Sequence, residues 1–263
     1  MTPARHPQAF RTRYLPAMTR AQIEGLPGKG SAIVIIPTGS IEQHGPHLPV
    51  GVDSILGQAW LASALQHLPP AAPIYVGPPI TYGKSNEHGN FPGTITLSAR
   101  TLHRLLRATA RQLAALGFRT LAVLNTHGGN SPVLVSTLRE IQAAVGINAG
   151  MLSFGWKAPL PPHEAAQGIH AGQFETALML AVAPDLVSME HAVCEFPPRS
   201  AATESVGPID APSIYGWQTT DLSRTGVIGD ATAATVADGR SWLAAGGRAL
   251  ADQILKLAEK VRA

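Results

Sequence analysis

Two carboxylates and an imidazole stand close together in the run Gly39-Ser-Ile-Glu-Gln-His-Gly-Pro-His-Leu-Pro-Val-Gly-Val-Asp53. Glu42 and His44 are two apart, so an extended backbone turns both to one side and Gln43 to the other. Asp53 lies nine residues after His44, at the mouth of a helical pattern, and Gly45, Pro46 and Pro49 bend the path between them. Carboxylate and imidazole side chains together make hard and borderline ligands for a divalent metal. Taken singly, Asp53 reads as a helix-capping residue and Glu42 and His44 as solvated loop groups. Their conjunction directly after a buried strand is what points to chemistry.

Three further runs carry reactive types. Asn125-Thr-His-Gly-Gly-Asn130 also stands between a strand and a helix. There Gly128 and Gly129 admit close approach or a positive φ, which would let His127 face inward beneath a small ligand. In His170-Ala-Gly-Gln-Phe-Glu175 the outer residues are five apart, about 140° on a continuous helix, and would not share a face. A helix starting near Gly172 would instead leave His170 in the preceding loop and Glu175 in the first turn, with both able to reach one pocket. Otherwise Glu175 is a carboxylate favoured by the helix dipole. Tyr82 to Thr94 offers Ser85, Glu87 and His88 on a glycine-bearing loop that could hold a polar substrate, or that is simply solvated.

The elements that must position these residues follow from periodicity. Ala32–Pro37 is a continuous, mostly β-branched apolar run and predicts a buried strand. Asp53 to about Leu68 predicts a helix, Ile74–Val76 a short strand, and Thr101–Leu116 a helix ended by Gly117. Leu121–Leu124 predicts a strand, Ser131 with Pro132 the cap and start of a helix to about Val145, and Ile147–Phe154 a further strand. From 184 to 229 the pattern dissolves into Pro, Gly and Ser, an irregular excursion over the surface or against another subunit. Asp230 opens a helical region reaching almost to Arg262, interrupted near Gly246 and Gly247. Alternating strands and helices predict an α/β fold with an open, mainly parallel sheet covered on both faces. Such sheets bind ligands beyond the carboxyl ends of their strands, so the first two polar loops should converge.

Composition excludes several classes. The chain has 263 residues, 45% hydrophobic, consistent with one domain over 1–263. Charged residues make up 14%, well under the roughly 25% of an ordinary soluble domain, which excludes disorder and hints at hidden subunit surface. The net charge is +3, with no run of Lys or Arg to demand nucleic acid or an anionic membrane. No apolar stretch reaches the ~18–20 residues of a membrane span, and no secretory leader pattern opens the chain. A cytoplasmic protein is expected. Cys194 is the single cysteine, which excludes an intrachain disulfide or cysteine-based zinc site, and it is read as an inert thiol. His-Glu-x-x-His, the phosphate-binding and dinucleotide glycine motifs, and the Gly-x-Ser-x-Gly elbow are all missing.

Glu42-Gln-His-Gly-Pro-His-Leu-Pro followed by Asp53 resembles the signature of the creatininase (creatinine amidohydrolase) family. Phe91-Pro-Gly-Thr94, the Asn125–Asn130 run, His170-Ala-Gly with Glu175, and Gly226-Val-Ile-Gly-Asp230 extend the resemblance in family order. It implies a single-domain three-layer α/β/α sandwich, assembled as a homo-oligomer, typically a hexamer. It also implies a metal-dependent hydrolase of carbon–nitrogen bonds in a small-molecule substrate. Carried over by position, Glu42, Asp53 and His127 would hold one metal and His44 with Asp53 the second, two divalent ions (zinc, manganese or iron) per chain. His170 would do acid–base or substrate-binding work and Ser85 would contact substrate, with His88, Gly128 and Gly129 beside it.

Gly129 departs from creatininase proper, which has a metal-binding glutamate there, so the chain resembles a Gly-Gly-loop member. Glu175 would supply the missing carboxylate or, with His170, the proton for the departing nitrogen. The expected reaction is hydrolysis of a small amide, cyclic amide or formamide by metal-activated water. Peptidase action or carbon–carbon hydrolysis of a cyclic ketone could use the same site. So could a non-catalytic scaffold with a degenerate second metal position.

Overall fold

The β-branched run before the first polar loop forms strand β1 (Ile33–Thr38), buried throughout, in a computed structural model that describes residues 6–197 and 216–262. Strand β2 (Ile74–Val76) pairs on one side of it and β3 (Thr120–Asn125) on the other, with β4 (Asn148–Met151) beyond. All pairings in this sheet are parallel, in the order β2-β1-β3-β4. The strand period of two sends Ile33 and Ile35 into one hydrophobic cluster and Val34 and Ile36 into another. A sheet buried on both faces needs this continuous apolar run.

The principal helices are α1 (Val52–Leu65), α2 (Ala99–Ala115), α3 (Ser131–Val145), α4 (Pro162–Gln167), α5 (Gln173–Val182) and α6 (Val236–Arg262). Leu56, Trp60 and Leu61 of α1 join Leu178 of α5 and Leu250 and Ile254 of α6 on the first face. Leu102 and Leu106 of α2 and Leu134 and Leu138 of α3 cover the second. The result is an α/β/α sandwich with a parallel sheet. The chain steps from β1 outward to β2 and then back across β1 to β3, and α1 and α2 lie on opposite faces, as crossovers of a single hand require. The carboxyl ends of β1 and β3 therefore flank the point of reversal, where parallel sheets leave a crevice.

Several expected boundaries move. Helix α6 runs unbroken through Gly246 and Gly247. A Cβ on Gly246 would come 2.5 Å from the Trp60 ring, and one on Gly247 2.7 Å from Ser63 Cβ. The glycines are contact points that let α6 approach α1, which offsets their lower helix propensity of about 1 kcal/mol each. Asp230 does not open this helix. It belongs to a two-residue strand, Gly229–Asp230, paired antiparallel with Cys194–Glu195, and its carboxylate accepts from Thr232 N–H at 3.0 Å. Asn130, not Ser131, is the N-cap of α3, and β4 stops at Met151. Helix α4 has no counterpart in the sequence reading. Of the irregular stretch 184–229, residues 198–215 lie outside the described residues. The part after them packs inward, with Thr219, Val227 and Ile228 buried. No described helix is long and apolar enough to cross a membrane.

Candidate functional site

The loop after β1 does not continue as a strand, yet it is firmly held. Glu42 N–H donates to Val50 O at 3.0 Å and Gln43 N–H to Thr94 Oγ1 at 3.1 Å. Asp53 sits in the first turn of α1, and Thr126 Oγ1 donates to its carbonyl at 2.8 Å, tying the loop after β3 to the start of α1. His127 follows directly. Helix α5 begins at Gln173, so His170 precedes it and Glu175 lies in its first turn, where Ala171 N–H donates to Glu175 Oε2 at 2.6 Å. Ala171 carries a positive φ of 52°, the sharp bend that turns the His170 loop back over the site.

These four segments bring their side chains to one point. Glu42, Asp53 and His127 form one buried group whose ligand atoms all lie within 4.8 Å of one another; His44, His170 and Glu175 form a second. Asp53 lies between the two. Its Oδ2 is 3.6 Å from His127 Nδ1, and its Oδ1 is 3.5 Å from His44 Nε2. Glu42 Oε2 is 3.0 Å from His127 Nδ1, and Glu175 Oε1 is 3.8 Å from His44 Nε2.

The imidazoles are oriented from outside. His44 Nδ1 donates to the Glu42 carbonyl at 3.1 Å and His127 Nε2 to the Lys84 carbonyl at 2.9 Å. His44 Nε2 and His127 Nδ1 are therefore the nitrogens turned toward the carboxylates, the arrangement that fixes metal-binding histidines once their protons are displaced. Glu42 Oε2, Asp53 Oδ2 and His44 Nε2 are buried without a hydrogen bond. Buried polar atoms are rarely left so, and a cation among them would satisfy all three. The donor set suits zinc, manganese or iron.

Electrostatics agree with this geometry. Burial opposes charge on every member, and pairing decides where charge survives. Burial works against the His127 imidazolium, but Glu42, Glu87 and Asp53 overcome it and hold its pKa up at about 11. His44 is raised in the same way by Asp53 and Glu175. Burial would lift Glu42, yet the imidazoles around it, His127 first, keep it well below the carboxylate range. Glu175 is likewise taken down to about 2 by His44 despite its burial. Asp53 goes the other way, to about 6, because burial and the Glu42 charge outweigh His44. His170 is depressed to about 3 by burial and by its neighbours His44 and His88, so it is neutral.

The remaining expected residues surround this cluster. Ser85 is fully buried; its hydroxyl meets Ser40 and lies 3.2 Å from His127 Nε2. His88 is buried, its ring 4.2 Å from that of His170. Nothing lies within 4 Å of a Cβ placed on Gly128, whereas one on Gly129 would meet Glu87, His127 and the Lys84 carbonyl. Neither glycine has a positive φ. Glu87 thus takes a larger part than its loop context signalled: its Oε1 lies 3.4 Å from His127 Nε2. His47, between the polar runs in sequence, is buried against Thr176, Nε2 to Oγ1 2.8 Å. Glu164, on the unanticipated helix α4, accepts from Gln173 and Asp230 N–H, both at 2.8 Å, and braces the loop that carries His170. A single buried carboxylate receiving backbone N–H groups leaves no pattern in sequence.

A family model described as creatinine amidohydrolase matches residues 16–254. The chain is 34% identical over 212 residues to a mycofactocin precursor peptide peptidase of Mycobacterium ulcerans (strain Agy99), spanning 79% of this chain and 78% of that protein. It is 32% identical over 215 residues to a creatinine amidohydrolase of Pseudomonas putida, spanning 73% and 80%. A solved mutant creatininase of the Zn-Zn type superposes with a TM-score of 0.73 at 28% identity, over 92% of this chain and 97% of that one.

Proposed function

The chain belongs to the creatininase family, and on that premise we propose a divalent-metal-dependent hydrolase of the C–N bond in a small amide, cyclic amide or formamide. The observation that carries the reading is the Asp53 carboxylate, whose two oxygens face two different imidazoles inside a buried carboxylate cluster. Glu42, Asp53 and His127 would hold one cation, and His44, Asp53 and Glu175 a second, with Asp53 shared. Glu175 stands where it can replace the carboxylate that Gly129 lacks. When bound, such a pair of cations polarises a carbonyl and makes water nucleophilic near neutral pH.

The protein's own groups do the rest. Glu175 stays ionised across the neutral range, which suits a ligand and not a proton donor. His170 donates Nε2–H to the Gln43 carbonyl at 2.7 Å and leaves Nδ1 bare toward the cluster. That nitrogen can take the proton from attacking water and return it to the departing amine, which is otherwise a poor leaving group. His88 and the open side of Gly128 border the substrate position. Ser85 and Gly129 act from behind, by holding His127 and admitting Glu87.

A second reading, cleavage of an amide bond within a short peptide, is favoured by the 34% identity to a peptide peptidase. Carbon–carbon hydrolysis has no comparable support, and the donor groups present at both positions speak against a non-catalytic scaffold with a degenerate second metal site. The test is a screen of formamides, cyclic amides and short peptides with zinc, manganese and iron restored in turn. Metal-dependent turnover of an amide is expected. Turnover that survives complete metal removal would overturn the metal-dependent reading, and exclusive turnover of peptides would select the second. By the same family reading the single-domain subunits assemble as a cytoplasmic homo-oligomer, a hexamer, which light scattering and cell fractionation check.

A further inference from the structure

His44, His127 and His170 each commit one ring N–H to a backbone carbonyl, but His88 does not. Its Nδ1 instead meets two side chains, Gln43 Nε2 at 3.0 Å and Thr219 Oγ1 at 2.8 Å. An amide's two ends are commonly ambiguous, yet here the main chain decides. Gln43 Oε1 lies 2.8 Å from Gly45 N–H, which can only donate, and Gln43 Nε2 lies 3.0 Å from the Gly226 carbonyl, which can only accept. One amide hydrogen goes to Gly226, so the other points at His88 Nδ1, and that nitrogen must be the acceptor. The ring proton of neutral His88 then sits on Nε2, facing Glu42 Oε1 at 3.6 Å.

We propose that Gln43 is a positioning residue that fixes the same Nε2–H tautomer in two neighbouring histidines whose rings present opposite nitrogens to the site. Its side chain makes His88 a hydrogen-bond donor toward the site, and its main-chain carbonyl makes His170 an acceptor there. One consequence concerns metal. Glu42, His88 and His170 also place ligand atoms within 4.8 Å of one another. The proton on His88 Nε2 occupies the lone pair a cation would need, so this third group is closed to metal. His88 is free instead to donate to Glu42 or to a substrate carbonyl. The inference rests on the hydrolase reading only for the use made of the two imidazoles.

The direct test is heteronuclear NMR of the zinc-loaded protein labelled with heavy nitrogen at histidine, with His88→Gln used to assign the His88 signal. Wild type should show a protonated Nε2 and bare Nδ1 on His88, and a protonated Nε2 on His170. A proton on His88 Nδ1, alone or together with Nε2, would overturn the proposal. In Gln43→Glu the carboxylate would draw the His88 proton to Nδ1 and free Nε2, completing the third ligand set. Metal titration should then find one more divalent ion per chain than in wild type. A folded variant with unchanged tautomer and unchanged stoichiometry would also overturn it, and if the variant does not fold the wild-type spectrum still decides. Intact tautomers with no amide or peptide turnover in the substrate screen would sink the hydrolase reading and leave this one standing.

Discussion

The Glu87 carboxylate stands in the space that a side chain on Gly129 would occupy, beside His127 Nε2. A glycine in one loop thereby admits an acid from another. Gly129→Glu alone should collide with Glu87 and His127 and cost about 1–3 kcal/mol, the usual penalty for overpacking. Combining it with Glu87→Ala should recover part of that loss and no more, because a Cβ at 129 still meets His127 and the Lys84 carbonyl. Thermal denaturation of the two variants checks this, and equal destabilisation of single and double variants would show that the two sites do not share the space.

Asp53→Ala removes a ligand shared by both proposed cations. Activity should fall below detection, and bound metal should drop from about two ions per chain to one or fewer. Elemental analysis after gentle purification measures it. Full occupancy with normal turnover would sink the shared-ligand assignment.

Metal binding should release protons. In the metal-free protein His127 keeps its proton up to about pH 11, and a cation on Nδ1 displaces it. Apparent affinity should therefore rise with pH between 6 and 9, and calorimetry in buffers of different ionisation enthalpy should count the protons released. The same shift has a stability consequence of fixed sign. The folded pKa lies above the unfolded value of about 6.5, so the contribution of His127 is complete below that pH and is lost as pH rises toward 11.

His47 titrates in the opposite sense. Burial, with the His44 charge, lowers it to about 4, so the unfolded chain takes up the proton first. Its share of stability is complete above the unfolded value of about 6.5 and is lost as pH falls toward 4. Urea midpoints measured on metal-free protein should decline over that window, less steeply in His47→Gln. Identical pH slopes would exclude His47 as the source.

Gly247→Leu would push α6 off Ser63 and should cost about 1–3 kcal/mol or more, while Gly128→Ala, with open space around it, should stay within about 0.5 kcal/mol. Denaturant titration compares the two. Equal effects would mean that the α6–α1 contact is not close-packed.

The sequence by itself determined what is local. Ile33–Ile36 could only be a strand buried on both faces, and the breakers after it had to leave Glu42, His44 and Asp53 on a loop at its end. The β3–α3 turn with His127 follows the same logic, and parallel topology requires the two loops to meet. What only the tertiary structure decided depends on pairs far apart in the chain. Glu87 beside Gly129 and Gln43 between His88 and Gly226 leave no periodic trace, because a single hydrogen bond or close contact constrains one atom pair and no pattern. The same holds for Gly246 and Gly247, which read as helix breakers until Trp60 and Ser63 pack against them. Local propensity chose the elements, and packing across them chose which nitrogen of each histidine faces the site.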